Sequence, residues 1–193
     1  MKITYRRLIA FAVLLAVSIG FGFAFDAIAT AIEKHNHPIV EQYCAEIRAN
    51  AEEFAIPEAN LWAIVCVESD FASNYVSGDG EIGLMQLTPD QFQAICRDLL
   101  GEGNVNAGML YDPATNLRAG TAKISSLYQK YGVWETVYAA YFAGEGAVDA
   151  WLADPTYVTE QGRLQNIPDE ATADYVEEVA DAAALYQRLY FNS

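Results

Sequence analysis

The sequence predicts an all-α fold: a single globular domain over residues 38–193, carrying at most a tiny hairpin near 75–87, behind an N-terminal apolar segment. Three observations predict it. Apolar residues after position 38 recur at spacings of three and four, the period of one helix face. Helix starts are marked by a capping residue followed by proline, at Thr88-Pro89 and Asp112-Pro113. No stretch keeps the two-residue period of a strand for more than a few positions, and there is no internal repeat or low-complexity tract.

Residues 1–30 are chemically distinct from the rest. Leu8 to Phe25 form an uncharged run of 18 residues, which as a helix covers roughly 27 Å and nearly spans a bilayer. Lys2, Arg6 and Arg7 precede it and Asp26 follows, so the expected topology is a single-pass membrane segment with everything after Asp26 on the extracytoplasmic side. Ala27-Ile28-Ala29 and Ala29-Thr30-Ala31 also offer the small-x-small pattern of signal cleavage, which would release a secreted domain. The run exceeds the usual ~7–15-residue signal core, and a retained anchor is the expectation. Residues 31–37 then serve as a short linker.

Ile39, Val40, Tyr43, Cys44, Ile47, Ala51 and Phe54 lie on one face of a first helix over about 38–54. Pro57 opens a second, whose stripe Leu61, Ile64, Val65 leads on to Glu68. Residues 71–87, with Gly78, Gly80 and Gly83, have no helical period and read as a loop or short hairpin. Thr88-Pro89-Asp90-Gln91 is a capping box that starts a helix over 89–100. Asp112-Pro113 starts the series Leu117, Thr121, Ile124, Leu127, Tyr128, Tyr131, which Gly132 ends. Trp134 to Ala143 is rich enough in Ala and aromatic residues to be the buried central helix, and Gly144-Glu145-Gly146 breaks it before a short helix ending near Leu152. A long connection over 153–168 leads to a last helix over Asp169–Tyr190.

Charge narrows the function. Eleven Lys and Arg against 26 Asp and Glu give a net charge of −15, which excludes a surface built to hold the anionic backbone of nucleic acid. Residues 1–30 carry +2, from Lys2, Arg6 and Arg7 against Asp26, so the remainder carries −17. Cys44, Cys66 and Cys96 include no C-x-x-C pair, and His35 and His37 lie in the linker, so no metal site is expected. A Cys44–Cys96 bridge is the least disruptive pairing. An EF-hand reading from Asp70 fails, because Ala72 and Tyr75 stand where a ligand and a glycine are required.

Glu68 is the residue with chemical promise. A carboxyl group on the apolar stripe of a helix loses hydration, which favours its neutral form and lets it protonate a leaving oxygen near neutral pH. At the last turn of a helix it could equally turn to water. Asp70, two positions on, points away from it, and the sequence offers no obvious second carboxylate for an ordinary glycosidase pair.

Glu68-Ser69 is followed by Gly83-Leu84-Met85-Gln86 behind a Ser-Gly-x-Gly loop, and then by Tyr111-Asp112-Pro113 with Asn116 and Gly120. Ala139-Ala140-Tyr141 with Ala143-Gly144, Ile167-Pro168 and Tyr175-Val176 complete the series. Together these blocks resemble the soluble lytic transglycosylase (SLT) family, which shares the goose-type lysozyme fold, over about residues 40–190. The resemblance implies cleavage of the β-1,4 bond between N-acetylmuramic acid and N-acetylglucosamine in bacterial peptidoglycan, with closure to a 1,6-anhydro sugar and no cofactor. It implies that Glu68 is acid and then base, that Ser77 supports it, and that Met85 and Gln86 line the glycan groove. Tyr141 would donate to Glu68 or the sugar, and Tyr175 would close the cleft wall.

Three positions depart from the family pattern: Phe142 replaces an Asn, Glu81 a small residue, and Ala171 an acidic one. Phe142 keeps open a catalytically weak wall-binding module, and a hydrolytic muramidase is a third reading. Glu81, if close, would raise the pKa of Glu68 further.

Overall fold

The computed structural model describes Phe21 and residues 24–191, which form two units divided after Pro38. In the first, helix α1 covers 24–36, with Phe25, Ile28 and Ile32 exposed. Most of the expected membrane segment lies outside the described residues, among which no helix is long and apolar enough to cross a membrane.

The second unit is helical, as the periodicity predicts, and holds the core. A 3-10 turn Glu41–Tyr43 leads into α2 (Cys44–Phe54), followed by α3 (Glu58–Ser69), α4 (Pro89–Ile95), α5 (Pro113–Tyr131), α6 (Trp134–Ala143), α7 (Glu145–Leu152) and α8 (Glu170–Tyr186). Contacts run from α3 to α8, α8 to α6, α6 to α5, α5 to α2 and back to α3, so five helices enclose the core. As expected, α6 is buried on most sides, from Thr136 to Tyr141. The stripe read in α3 proves too narrow, because every residue from Ala59 to Val65 is buried. Trp62 lies at its centre, stacked on Tyr186 of α8 at 6.2 Å between ring centroids.

Local chemistry sets the helix ends. Thr88 and Gln91 close the predicted capping box at α4, and the Asp112 and Asp169 carboxylates accept from the backbone N–H groups of Thr115 and Thr172. Gly132 ends α5 with φ 67°, in the left-handed region that favours glycine. The helices expected to reach residues 100 and 190 each finish in a π turn, Cys96–Leu100 and Gln187–Phe191. The hairpin expected near 75–87 is reduced to isolated bridges, Val76 with Ile82 and Ile82 with Leu87. The expected Cys44–Cys96 bridge is absent and all three thiols are free: Cys44 directs its Sγ at the Val40 carbonyl, while Cys96 is buried in the π turn after α4.

Candidate active site

Glu68 sits one residue from the end of α3, where the chain turns abruptly. Asp70 caps the helix with φ 45° and Phe71 follows at φ 63°. Two successive non-glycine residues in the left-handed region are strained, and burial of the Phe71 ring against Trp62 offsets the cost. Asp70 is exposed, as its position two residues from Glu68 predicts. Ser69 ties the helix end to the next segment, its hydroxyl donating to the Leu84 carbonyl at 2.9 Å.

The loop from Phe71 to Leu87 is locked from α5. Asn116 is fully buried; its Oδ1 accepts from Met85 N at 2.8 Å and its Nδ2 donates to the Ile82 and Leu110 carbonyls. Gly83 has φ +84°, and a Cβ there would meet the Leu110 carbonyl oxygen at 2.7 Å as well as the Asn116 amide. Gly120 makes room for Met85, whose Cβ and Cε would lie 2.8 and 2.9 Å from an added methyl. The G-L-M-Q, Asn116 and Gly120 blocks are thus three parts of one joint.

That joint supports a cavity of about 190 Å³ lined by Glu68, Asp79, Glu81, Gln86, Gln91, Lys123, Tyr141 and Phe142. Glu68 Oε1 accepts a 2.5 Å hydrogen bond from the Tyr175 hydroxyl of α8. Burial pushes the Glu68 carboxyl up to about 7; the Tyr175 hydrogen bond and Lys123 oppose the rise, while Glu81 adds to it. Burial also holds the Tyr175 and Tyr141 phenols well above their ordinary range, so both remain donors at neutral pH. A carboxyl titrating near 7 can give a proton and then take one back.

The expected site residues divide. Glu68, Gln86 and Tyr141 share the cavity, and the Tyr175 hydroxyl bonds directly to the Glu68 carboxyl. Gln86, at φ 44°, is 5% exposed and spends its amide on the Gly83 and Tyr75 carbonyls. Ser77 does not reach Glu68: its hydroxyl donates to Glu81 Oε2 at 3.2 Å and accepts from Glu81 N, shaping the turn that carries Asp79 and Glu81. Met85 is fully buried, its side chain packed into the space left by Gly120. The Tyr141 hydroxyl donates to the Met85 carbonyl at 2.6 Å, which engages it within the protein.

Sequence reasoning missed Lys123, whose ammonium lies over the Tyr141 ring at 4.1 Å. The sequence shows it only as a lone charge in the stretch Thr121–Ser125; it is the structure that buries Thr121, Ala122, Ile124 and Ser125 on either side of it. Asp79 and Gln91 were also missed as cavity residues. Phe142 is 48% exposed and stacks on Tyr175 with ring centroids 4.6 Å apart.

The family model described as Transglycosylase SLT domain matches residues 45–161. The soluble lytic murein transglycosylase of Escherichia coli (strain K12) is 31% identical over 136 residues, 68% of this chain and 21% of that protein. The membrane-bound lytic murein transglycosylase C of Yersinia enterocolitica is 30% identical over 126 residues, 61% of this chain and 35% of that protein. Among solved structures, the chain resembles the 70-kDa soluble lytic transglycosylase of Escherichia coli, with a TM-score of 0.73 and 28% identity over 81% of this chain and 25% of that one. It also resembles an inactive mutant of the lytic transglycosylase Slt from Pseudomonas aeruginosa, with a TM-score of 0.69 and 29% identity over 79% and 24%. The chain spans between about a fifth and a third of the length of these curated relatives. Tyr175 lies beyond the matched residues; Glu68, Ser77, Met85, Gln86 and Tyr141 lie within them.

Proposed function

The chain belongs to the transglycosylase SLT family, and from that premise we propose that it is a peptidoglycan lytic transglycosylase. The observation that carries the proposal is the Glu68 carboxyl, raised to about 7 by burial in a polar cavity and held by the Tyr175 hydroxyl. Protonated Glu68 gives its proton to the glycosidic oxygen between N-acetylmuramic acid and N-acetylglucosamine, and the C1–O bond breaks. The substrate's own N-acetyl oxygen bonds to C1 and takes up the positive charge. Glu68, now a carboxylate, removes the proton from the C6 hydroxyl; O6 bonds to C1, the N-acetyl group is released, and a 1,6-anhydro sugar results. Glu68 ends protonated, ready for another cycle, and the scheme needs no cofactor.

Tyr175 and Lys123 favour the charged state of Glu68 that the second step uses, and burial favours the neutral state that the first step uses. Gln86 supports the cavity wall, and its Oε1 is available to a sugar hydroxyl. The apolar segment Leu8–Phe25 would hold the domain on the extracytoplasmic face of the bacterial membrane, within reach of the wall's glycan strands.

A specific observation favours a second reading. Asp79 and Glu81 line the same cavity as Glu68, so a second carboxylate is at hand to activate water, and the product would then be that of a muramidase. Purified peptidoglycan incubated with the full chain and with Glu68→Gln tests the enzyme reading. Loss of solubilised sugar in the variant, with wall binding retained, supports it; equal release by both proteins removes Glu68 from the chemistry. Binding without release by the unaltered chain would make the domain the wall-binding module that Phe142 invites.

A further inference from the structure

We propose that Lys123 binds the lactyl arm of the muramyl sugar and thereby tells that sugar from its glucosamine neighbour; the proposal rests on the glycan reading of this cavity. Lys123 stands on α5 with its flanking residues buried, and its ammonium lies at the wall of the Glu68 cavity. One N–H donates to the Tyr141 carbonyl at 3.2 Å and the Tyr141 ring lies beneath the charge. Among the described residues it makes no ion pair and no other hydrogen bond, which leaves two donors of a half-buried cation without acceptors.

The carboxylates around it do not take those donors. Glu68 on α3, Glu81 and Asp79 on the loop, and Glu145 on α7 face the same region. Glu68 is engaged by Tyr175 and Glu81 by Ser77, while Glu145 pairs with Lys130 at 2.7 Å. Burial lowers the Lys123 ammonium to about 8 despite these acidic neighbours, so near neutral pH it is charged and under-solvated. A second cavity of about 280 Å³, lined in part by Ala94, Leu99 and Leu127, shares Lys123 and Gln91 with the first. The ammonium therefore stands where a ligand crossing from one cavity to the other would pass.

The chemistry of the strand identifies the partner group. Its two sugars differ only at the muramyl O3, which bears a lactyl ether; all other ring substituents are neutral hydroxyl and N-acetyl groups common to both. On a strand stripped of peptide, that arm ends in a carboxylate, and on a peptide-bearing strand in an amide carbonyl. An ammonium with two free donors accepts either oxygen, and the carboxylate most strongly.

The test reads binding without turnover, by calorimetry on the full chain carrying Glu68→Gln. Two ligands are compared at equal length near pH 6.5: a peptide-free muramyl-glucosamine oligomer and an N-acetylglucosamine oligomer without lactyl arms. The parent is expected to prefer the muramyl oligomer, and the preference to shrink with added salt and again as rising pH removes the Lys123 charge, which happens at lower pH than in the unaltered chain because the Glu68 carboxylate no longer favours the ammonium. Adding Lys123→Met is expected to weaken muramyl binding about tenfold or more, as loss of a hydrogen bond to a charged group does, and to leave the lactyl-free oligomer within about twofold. Lys123→Arg is expected to restore most of the preference. A parent without preference, an equal loss on both ligands, or no loss on the muramyl oligomer overturns the role of Lys123. A parent that binds neither sugar overturns the glycan reading itself.

Discussion

Glu68 is held between two demands. Burial favours its neutral form, while the Tyr175 hydroxyl and Lys123 favour its charged form, and the balance falls at about 7 against an ordinary 4.5. A carboxyl whose folded value is raised binds a proton more tightly folded than unfolded, so its stabilisation is complete below about 4.5 and lost as pH rises through about 7. The difference corresponds to about 3 kcal/mol at most. Glu68→Gln cannot ionise, so its melting temperature should gain on that of the unaltered protein as pH rises from about 4.5 to about 7, and the gap should be smallest and constant below pH 4.5. Parallel melting curves across that range would mean that Glu68 is not desolvated. Tyr175→Phe keeps the ring that stacks on Phe142 but removes the donor that favours the carboxylate. The alkaline limb of its pH–rate profile should therefore move to higher pH, with kcat reduced; an unmoved limb would separate Tyr175 from the titration of Glu68.

At the scale of elements, the site is a joint between the end of α3, the loop 71–87 and α5. Gly120→Ala would press a methyl into Met85, and overpacking of this kind costs about 1–3 kcal/mol. It should also reduce activity, because the Met85 carbonyl anchors Tyr141; thermal melts together with rates check both, and a fully stable, fully active variant would contradict the joint. Much of this was legible in the chain. Thr88 with Gln91, Asp112-Pro113 and Gly132 mark helix ends by local chemistry alone, and the structure has them there. For Glu68 the helical spacing left two readings open, a desolvated carboxyl or one turned to water, and the resemblance to the family singled it out; the structure has it buried and bonded to Tyr175. Met85, Ser77 and Tyr141 were placed by resemblance to a motif, and a motif does not say which of its members face substrate and which face one another. Whether Met85 enters the core depends on Gly120, 35 positions away in the chain, and local periodicity carries no such information. Lys123 was overlooked because a single lysine in a helix usually lies at the surface, and only the burial of both its flanks shows otherwise.

Across the whole molecule, 26 acidic residues against 11 basic ones make a self-repelling chain, and the cavity shares this bias, with Glu68, Asp79 and Glu81 set against Lys123. Raising NaCl from 0.05 to 0.3 M should increase the melting temperature by a few degrees as the repulsion is screened; a fall would mean that ion pairs such as Lys130 with Glu145 and Asp149 outweigh it. The helices that close around Trp62 bring Tyr175 of α8 to Glu68 of α3, residues 107 positions apart, so this pairing exists only in the folded domain. The most direct test of the account is the mass of the sugars that the full chain releases from purified peptidoglycan. Products one water lighter than the hydrolysed fragments, and absent with Glu68→Gln, are the predicted result. Hydrated products would contradict intramolecular closure and turn attention to Asp79 and Glu81 as the base that activates water.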